Sequence, residues 1–355
     1  MKFRFEDKRI TGMLVVVPEN ESRFDDELDN YNFSAKNSQK LKRVIGFDRH
    51  RVVEDESVCA SDLCAHGLEY LFDKGLLERD EIDGLIMVTE TPDYFMPPTS
   101  NVLQARLGLD QDTLCLDINQ GCAGFVVGLV QGFMMLDQPA IRKVVLLTAD
   151  TLSRTINKRD RNAYPLIGDA AAITILERSG EKVSVHANLK MDGARHEAIM
   201  IPAGGFRQPA SEETAREVEA GDGNVRSLND YHMDGVGVFN FVQNDIPPLV
   251  DEVLAESGLD KEDVDYFMFH QPNRFILEKL ADRMGVPREK MPNNIVEIYG
   301  NPSCASVPVT ICHNLGSELM SRQYTMCLAG FGVGLTSSTM ALPVGDLDFC
   351  EILDF

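Results

Sequence analysis

Tryptophan is missing from all 355 residues, so no indole is available as a stacking platform. The eight cysteines, at 59, 64, 115, 122, 304, 312, 327 and 350, include no Cys-x-x-Cys pair, and no Cys/His cluster has zinc-site spacing. Basic charge is scarce: 34 Lys and Arg against 56 Asp and Glu leave a formal charge of −22. That balance excludes a general nucleic-acid binder, which displaces counterions with basic surface, and it argues against docking on anionic lipid. A local basic patch around one site stays compatible with it. Long apolar runs are also lacking. The longest nearly unbroken one, Ala123–Leu136, falls short of the ~18–20 residues of a membrane span. Met13–Val17 is too short for a secretory apolar region and reads as a strand. The expectation is a cytoplasmic protein with reduced thiols, most of them small buried apolar side chains.

The rest of the composition is that of an ordinary globular protein, with 44% hydrophobic and 25% charged residues. Short apolar runs predict buried strands over 84–88, 113–118, 143–148, 170–176, 266–269 and 324–329. Helical patterns lie between them, over 61–74, 99–107, 246–257 and 274–284. Such alternation predicts an α/β layered fold. The pattern divides near Glu177–Gly180 into two similar halves, 1–178 and 179–355. The second half carries an apparent insertion at about 204–232, rich in Gly, Glu, Asp and Asn, with a short helical piece near Glu212–Glu219. It reads as a solvated excursion or a functional loop.

The sharpest feature is Asp117-Ile118-Asn119-Gln120-Gly121-Cys122-Ala123-Gly124-Phe125, where a strand turns tightly and a cysteine opens a helix. That helix, through Leu136, is apolar all round except for Gln131, so it belongs in the core. Gly124, Gly128 and Gly132 repeat every fourth residue and predict close backbone packing. Unpaired N–H groups at a helix start favour negative charge and would lower a thiol from its ordinary pKa of about 8.5. The same turn can cradle an oxyanion. Two more features follow apolar strands: Phe269-His270-Gln271-Pro272-Asn273, and Tyr299-Gly300-Asn301-Pro302-Ser303-Cys304-Ala305-Ser306 before another apolar helix. Each alone is weak evidence. All three sit at strand ends before helices, where α/β sheets collect ligands.

These motifs, with Gly168-Asp169-Ala170 and Gly330-Phe331-Gly332-Val333-Gly334-Leu335-Thr336, resemble in type and order the beta-ketoacyl-ACP synthase III family of the thiolase superfamily. The resemblance spans nearly the whole chain. It implies a five-layer αβαβα fold of two pseudo-symmetric halves and a homodimer. It also implies a decarboxylative condensation that needs no metal or organic cofactor. Cys122 would hold an acyl group taken from a thioester. A malonyl thioester, from an acyl carrier protein (ACP), would lose CO2, and His270 and Asn301 would donate hydrogen bonds to the enolate oxygen. The backbone N–H groups of Cys122 and Val333 would form a second oxyanion hole. Met96 and Phe239 would border the acyl pocket, Met96 by reaching across the dimer. Arg161, Arg43, Lys158, Arg274 and Asn273 would serve CoA or carrier binding.

Departures from the family pattern point to a specialised member. Val333 replaces the middle glycine of the usual three and would narrow the pocket. No tryptophan stacks on a CoA adenine; the region that would hold it, Asn37–Arg43, is basic. Phe275 stands where a basic residue usually follows the His-Gln motif. Carrier proteins are acidic, so a chain of charge −22 needs local positive charge to bind one, from Lys40, Lys42 and Arg43 or from the run Lys158-Arg159-Asp160-Arg161. The main alternative is a thiolase-fold acyltransferase that forms an ester or amide without decarboxylation. A papain-like protease shares the Cys, His, Asn order but lacks that family's signature around the cysteine. A non-catalytic partner subunit would usually lose the nucleophile.

Overall fold

Two sheets with helices between and outside them make up the computed structural model, which describes residues 1–355. The first sheet has six strands in the order Phe349–Asp354, Lys8–Val17, Ala170–Arg178, Lys143–Asp150, Gly84–Val88, Leu114–Ile118. The second has five, in the order Lys2–Glu6, Ser184–Met191, Thr336–Val344, Tyr324–Gly332, Tyr266–Phe269. Gly84–Val88, buried throughout, pairs in parallel with both of its neighbours. Near-continuous apolar character is what a strand covered on both faces requires.

The helices Gly124–Met135 and Ser306–Asn314 lie between the sheets, and one apolar cluster joins them to both. Ala60–Asp73 and Thr99–Leu107 cover the outside of the first sheet; Gly235–Ser257 and Arg274–Met284 cover the second. This is the thiolase-type αβαβα layering. The terminal strands cross between the halves: Lys2–Glu6 joins the second sheet and Phe349–Asp354 the first. No helix is long and apolar enough to cross a membrane. All eight cysteines are free thiols, five of them buried.

The spaced glycines of the central helix have a direct cause. A Cβ on Gly124, Gly128 or Gly132 would come within 2.5, 2.5 or 2.4 Å of Val88, Leu146 or Leu176, one on each of three adjacent strands. The helix therefore lies on the sheet at backbone distance, and that places Cys122 above the strand ends.

Two expectations need correction. The helix expected over 246–257 runs from Gly235 to Ser257, capped by Asp234, whose carboxylate accepts from Val236 and Gly237 N–H. Its apolar stripe, Val238, Phe241, Val242, Ile246, Leu249, Val250 and Val253, continues through Pro247 and Pro248, which look like a helix start when read locally. Second, 212–219 is not helical. A hydrogen-bonded turn at Ser211–Ala215 leads into a two-residue strand, Val218–Glu219, paired with Val225–Arg226. Nor is this segment a free excursion. Arg226 pairs with the buried Asp160, Arg159 pairs with Glu217, and the buried Asn224 accepts from the Arg161 N–H at 3.0 Å.

Candidate active site

Cys122, His270 and Asn301 line one cavity of about 430 Å³ whose remaining wall is mostly apolar. Each comes from a different turn. His270 follows the strand Tyr266–Phe269, and its N–H donates to the Ala329 carbonyl at 2.7 Å. Asn301 is held against the first half by a short parallel bridge to Ile167. Its N–H donates to the Leu166 carbonyl at 2.7 Å, and its carbonyl accepts from Gly168 at 3.2 Å. Gly168 fits only because it lacks a side chain, since a Cβ there would lie 1.9 Å from the Tyr299 carbonyl.

The donor groups are oriented from behind. His270 Nδ1 is 2.7 Å from the buried Ser306 hydroxyl, and the ring stands edge-on to Phe331. A serine donating to Nδ1 leaves the ring proton on Nε2, the tautomer a donor into the cavity requires. Burial lowers the His270 pKa to about 3, so the imidazole is neutral at working pH. Asn301 Oδ1 accepts from the Ser303 N–H at 3.1 Å, which leaves the amide N–H groups free to donate.

The thiol departs from expectation. Burial, then the nearby Glu90 charge, pushes the Cys122 pKa up, and a Ser303 hydrogen bond offsets this in part. Removal from water outweighs the favourable helix terminus. Glu90 and Ser303 were not singled out by sequence reasoning. A carboxylate two residues past a wholly apolar strand was the available signal, by the same strand-end logic that marked the others.

Other expected residues fall in varied places. Phe331 and Gly332 form the wall beside Cys122; a Cβ on Gly332 would be 2.9 Å from the sulfur. Val333 is not part of the cavity wall, so it does not narrow the cavity; its side chain packs against the apolar cluster of the second half. Phe239 lines the cavity, stacked on Phe275 with ring centres 5.8 Å apart. Met96 does not line this chain's cavity; it lies in the exposed run Tyr94-Phe95-Met96.

The basic residues are mostly spent. The Arg161 guanidinium lies 3.4 Å over the Phe33 ring, with Nε and Nη1 buried and unpaired, away from the cavity wall. Arg274 pairs with Glu297, and Lys42 with Asp25 and Asp48. Lys158 lines a separate cleft with Asp26, Glu27, Glu54 and Glu56. Asn273 reaches the cavity, but its side-chain oxygen caps the next helix at Ile276 N–H, 2.9 Å away. Lys40 and Arg43 remain exposed and unpaired on the helix Ala35–Ile45, whose Leu41 and Ile45 line the cavity.

Sequence models described as 3-oxoacyl-[acyl-carrier-protein (ACP)] synthase III and its C-terminal part match residues 116–193 and 254–344. A Campylobacter jejuni relative, provisionally named 3-oxoacyl-[acyl-carrier-protein] synthase 3, is 32% identical over 99% of this chain and 98% of its own. The chain belongs to the 3-oxoacyl-ACP synthase III family. The beta-ketoacyl-[acyl-carrier-protein] synthase III of Streptococcus pneumoniae is 31% identical, covering 87% of this chain and 91% of its own. Among solved structures, a 3-oxoacyl-(acyl-carrier protein) synthase from Burkholderia xenovorans superposes with a TM-score of 0.92 at 36% identity, over 100% of this chain and 99% of that one. The chain is therefore an acyltransferase of the condensing type, on the thiolase fold.

Proposed function

We propose that the enzyme joins an acyl group carried on Cys122 to the enolate formed when a malonyl thioester loses CO2, giving a 3-oxoacyl thioester. One observation carries this reading: a nucleophilic thiol and two neutral hydrogen-bond donors, His270 and Asn301, share one largely apolar cavity. An enolate oxygen generated there has two donors and little competing water. One well-placed donor of this kind is worth about 3–4 kcal/mol in rate. The paired donors favour condensation over transfer to an alcohol or amine, which forms no enolate.

The N–H groups of Cys122 and of the adjoining 332–334 turn suit the second oxyanion hole, at the acyl carbonyl. Carrier-bound malonate is the proposed second substrate, and Lys40 and Arg43 are the cations left free near the cavity. The exposed Tyr94-Phe95-Met96 run supports a homodimer in which Met96 enters the partner's acyl pocket. No step calls for a metal or organic cofactor.

The test combines two measurements. Intact-protein mass spectrometry with a panel of acyl-CoA and acyl-ACP donors should show one acyl adduct, on Cys122. Carboxyl-labelled malonyl-ACP added to the acylated protein should release labelled CO2. Product formed with all label retained would sink the decarboxylative reading.

A further inference from the structure

The condensation as described leaves one proton without a destination. Cys122 must lose its S–H proton during acylation, yet burial and a negative neighbour oppose thiolate formation. His270 is engaged at Nδ1 and acts as a donor, so it is a poor acceptor for that proton.

We propose that Glu90 is the proton acceptor for Cys122, reached through the Ser303 hydroxyl. The proposal rests on the reading of Cys122 as nucleophile. Glu90 stands two residues past the strand Gly84–Val88 and packs on Gly121, the residue before Cys122. A Cβ on Gly121 would lie 2.2 Å from Glu90 Oε2. Glu90 makes no ion pair. Its one side-chain hydrogen bond is from Ser303 Oγ, which donates to Oε2 at 3.4 Å. The same serine side chain lies close enough to Cys122 to favour its thiolate and offset part of the burial effect. Ser303 holds this position with φ of 45°, a left-handed conformation that costs a non-glycine residue energy and that clusters at functional sites.

A second acid sets the proton affinity. Asp150 accepts from the Glu90 N–H at 2.7 Å, from the Thr89 and Thr91 hydroxyls at 3.1 and 3.2 Å, and from the Cys304 thiol at 3.2 Å. With four donors against one, Asp150 is the better place for the fixed negative charge. Burial and that charge push the Glu90 carboxyl up to about 8, near the working range of a general base.

The step balances within the protein. The Cys122 proton passes to Ser303 Oγ as the serine's own proton passes to the Glu90 carboxylate. The sulfur forms a bond to the thioester carbonyl carbon, and the bond from that carbon to the donor's sulfur breaks. The departing thiolate then takes the proton back from Glu90 along the same route. The net products are S-acyl-Cys122 and a free thiol, with Glu90 and Ser303 restored.

The experiment is alkylation of Cys122 by iodoacetamide in the full-length protein, followed by peptide mass spectrometry between about pH 6 and pH 10. The wild-type rate should rise as Glu90 ionises near pH 8 and then level off. A rate that keeps climbing to the top of the range would overturn the relay without need of a variant. Glu90→Gln is isosteric and cannot accept the proton; it should react about tenfold or more slowly at pH 8. If Glu90 were only a bystander charge, removing it would lower the thiol pKa and speed the reaction, so an equal or faster rate overturns the proposal. Ser303→Ala should also slow alkylation, and an unchanged rate again overturns it. A wild-type Cys122 that never reacts, while exposed cysteines do, would instead remove the nucleophile on which the reading depends.

Discussion

Gly332 lies against Cys122 so closely that a Cβ at 332 would stand 2.7 Å from the cysteine Cβ and 2.9 Å from its sulfur. The backbone at 332 is extended, at φ 161°, so alanine would meet no conformational barrier there. Only the approach to Cys122 forbids it. Gly332→Ala should therefore fold, at a cost of about 1–3 kcal/mol for overpacking, and lose acylation. Mass spectrometry with acyl thioesters checks the second point and thermal melting the first. An alanine variant acylated at the wild-type rate would show that sulfur and turn are farther apart in solution.

Ser306 offers a finer probe of the donor side. Its hydroxyl reaches His270 Nδ1 from within a buried helix, so Ser306→Ala removes the tautomer control and leaves the imidazole in place. Loss of one buried neutral hydrogen bond is worth about 1 kcal/mol, which predicts a several-fold drop in CO2 release from malonyl-ACP. Acylation of Cys122 should be unchanged, because that step needs no donor from His270. A parallel fall in both steps would mean that the serine supports the whole site.

Carrier binding separates two basic groups that sequence reasoning treated alike. Arg159 is neutralised by Glu217, Arg161 is stacked on Phe33, and Lys158 sits among carboxylates. Lys40 and Arg43 lie on the exposed side of the helix whose Leu41 and Ile45 line the cavity. Reversing charge with Lys40→Glu and Arg43→Glu should raise KM for malonyl-ACP about fivefold or more, with a salt-sensitive association step. Lys158→Glu with Arg159→Glu should leave it within about twofold. The opposite ranking would place the carrier on the Lys158-Arg159 run.

Much of this arrangement was legible in the chain. Wholly apolar strands such as Gly84–Val88 declare themselves because both faces are covered. The spaced glycines from Gly124 to Gly132 announced a helix pressed on a sheet. Cys122 and His270 showed as polar residues just past strands, whereas Asn301, expected at a strand end, follows the short helix Val296–Tyr299 and was marked only by its glycine-containing turn. What could not be read depends on contacts between distant segments. Nothing local says that Arg161 would turn to Phe33, or that Asp234 would start a helix twelve residues before Ile246. Nor does any local pattern say that the Val333 side chain would pack outward while Gly332 faces the thiol. Glu90 was overlooked because an acid after a strand is usually a solvated turn residue, and only Gly121, Ser303 and Asp150 give it another meaning.

His270 also ties stability to pH. Its folded pKa, lowered by burial to about 3, lies below the ordinary histidine value of 6.5. Above 6.5 both folded and unfolded chains hold it neutral, and it contributes no pH dependence. As pH falls below 6.5, the unfolded chain takes up a proton that the folded one refuses, so stability is lost at up to about 1.4 kcal/mol per pH unit. Between pH 6.5 and pH 5 this sums to roughly 2 kcal/mol from this residue alone. His270→Gln cannot titrate, so the gap in unfolding free energy between variant and wild type should shift in the variant's favour by that amount over the interval. Urea titrations at the two pH values measure it. An unchanged gap would mean that the imidazole protonates in the folded protein. That charged ring would be a different donor from the neutral one on which the enolate chemistry is built.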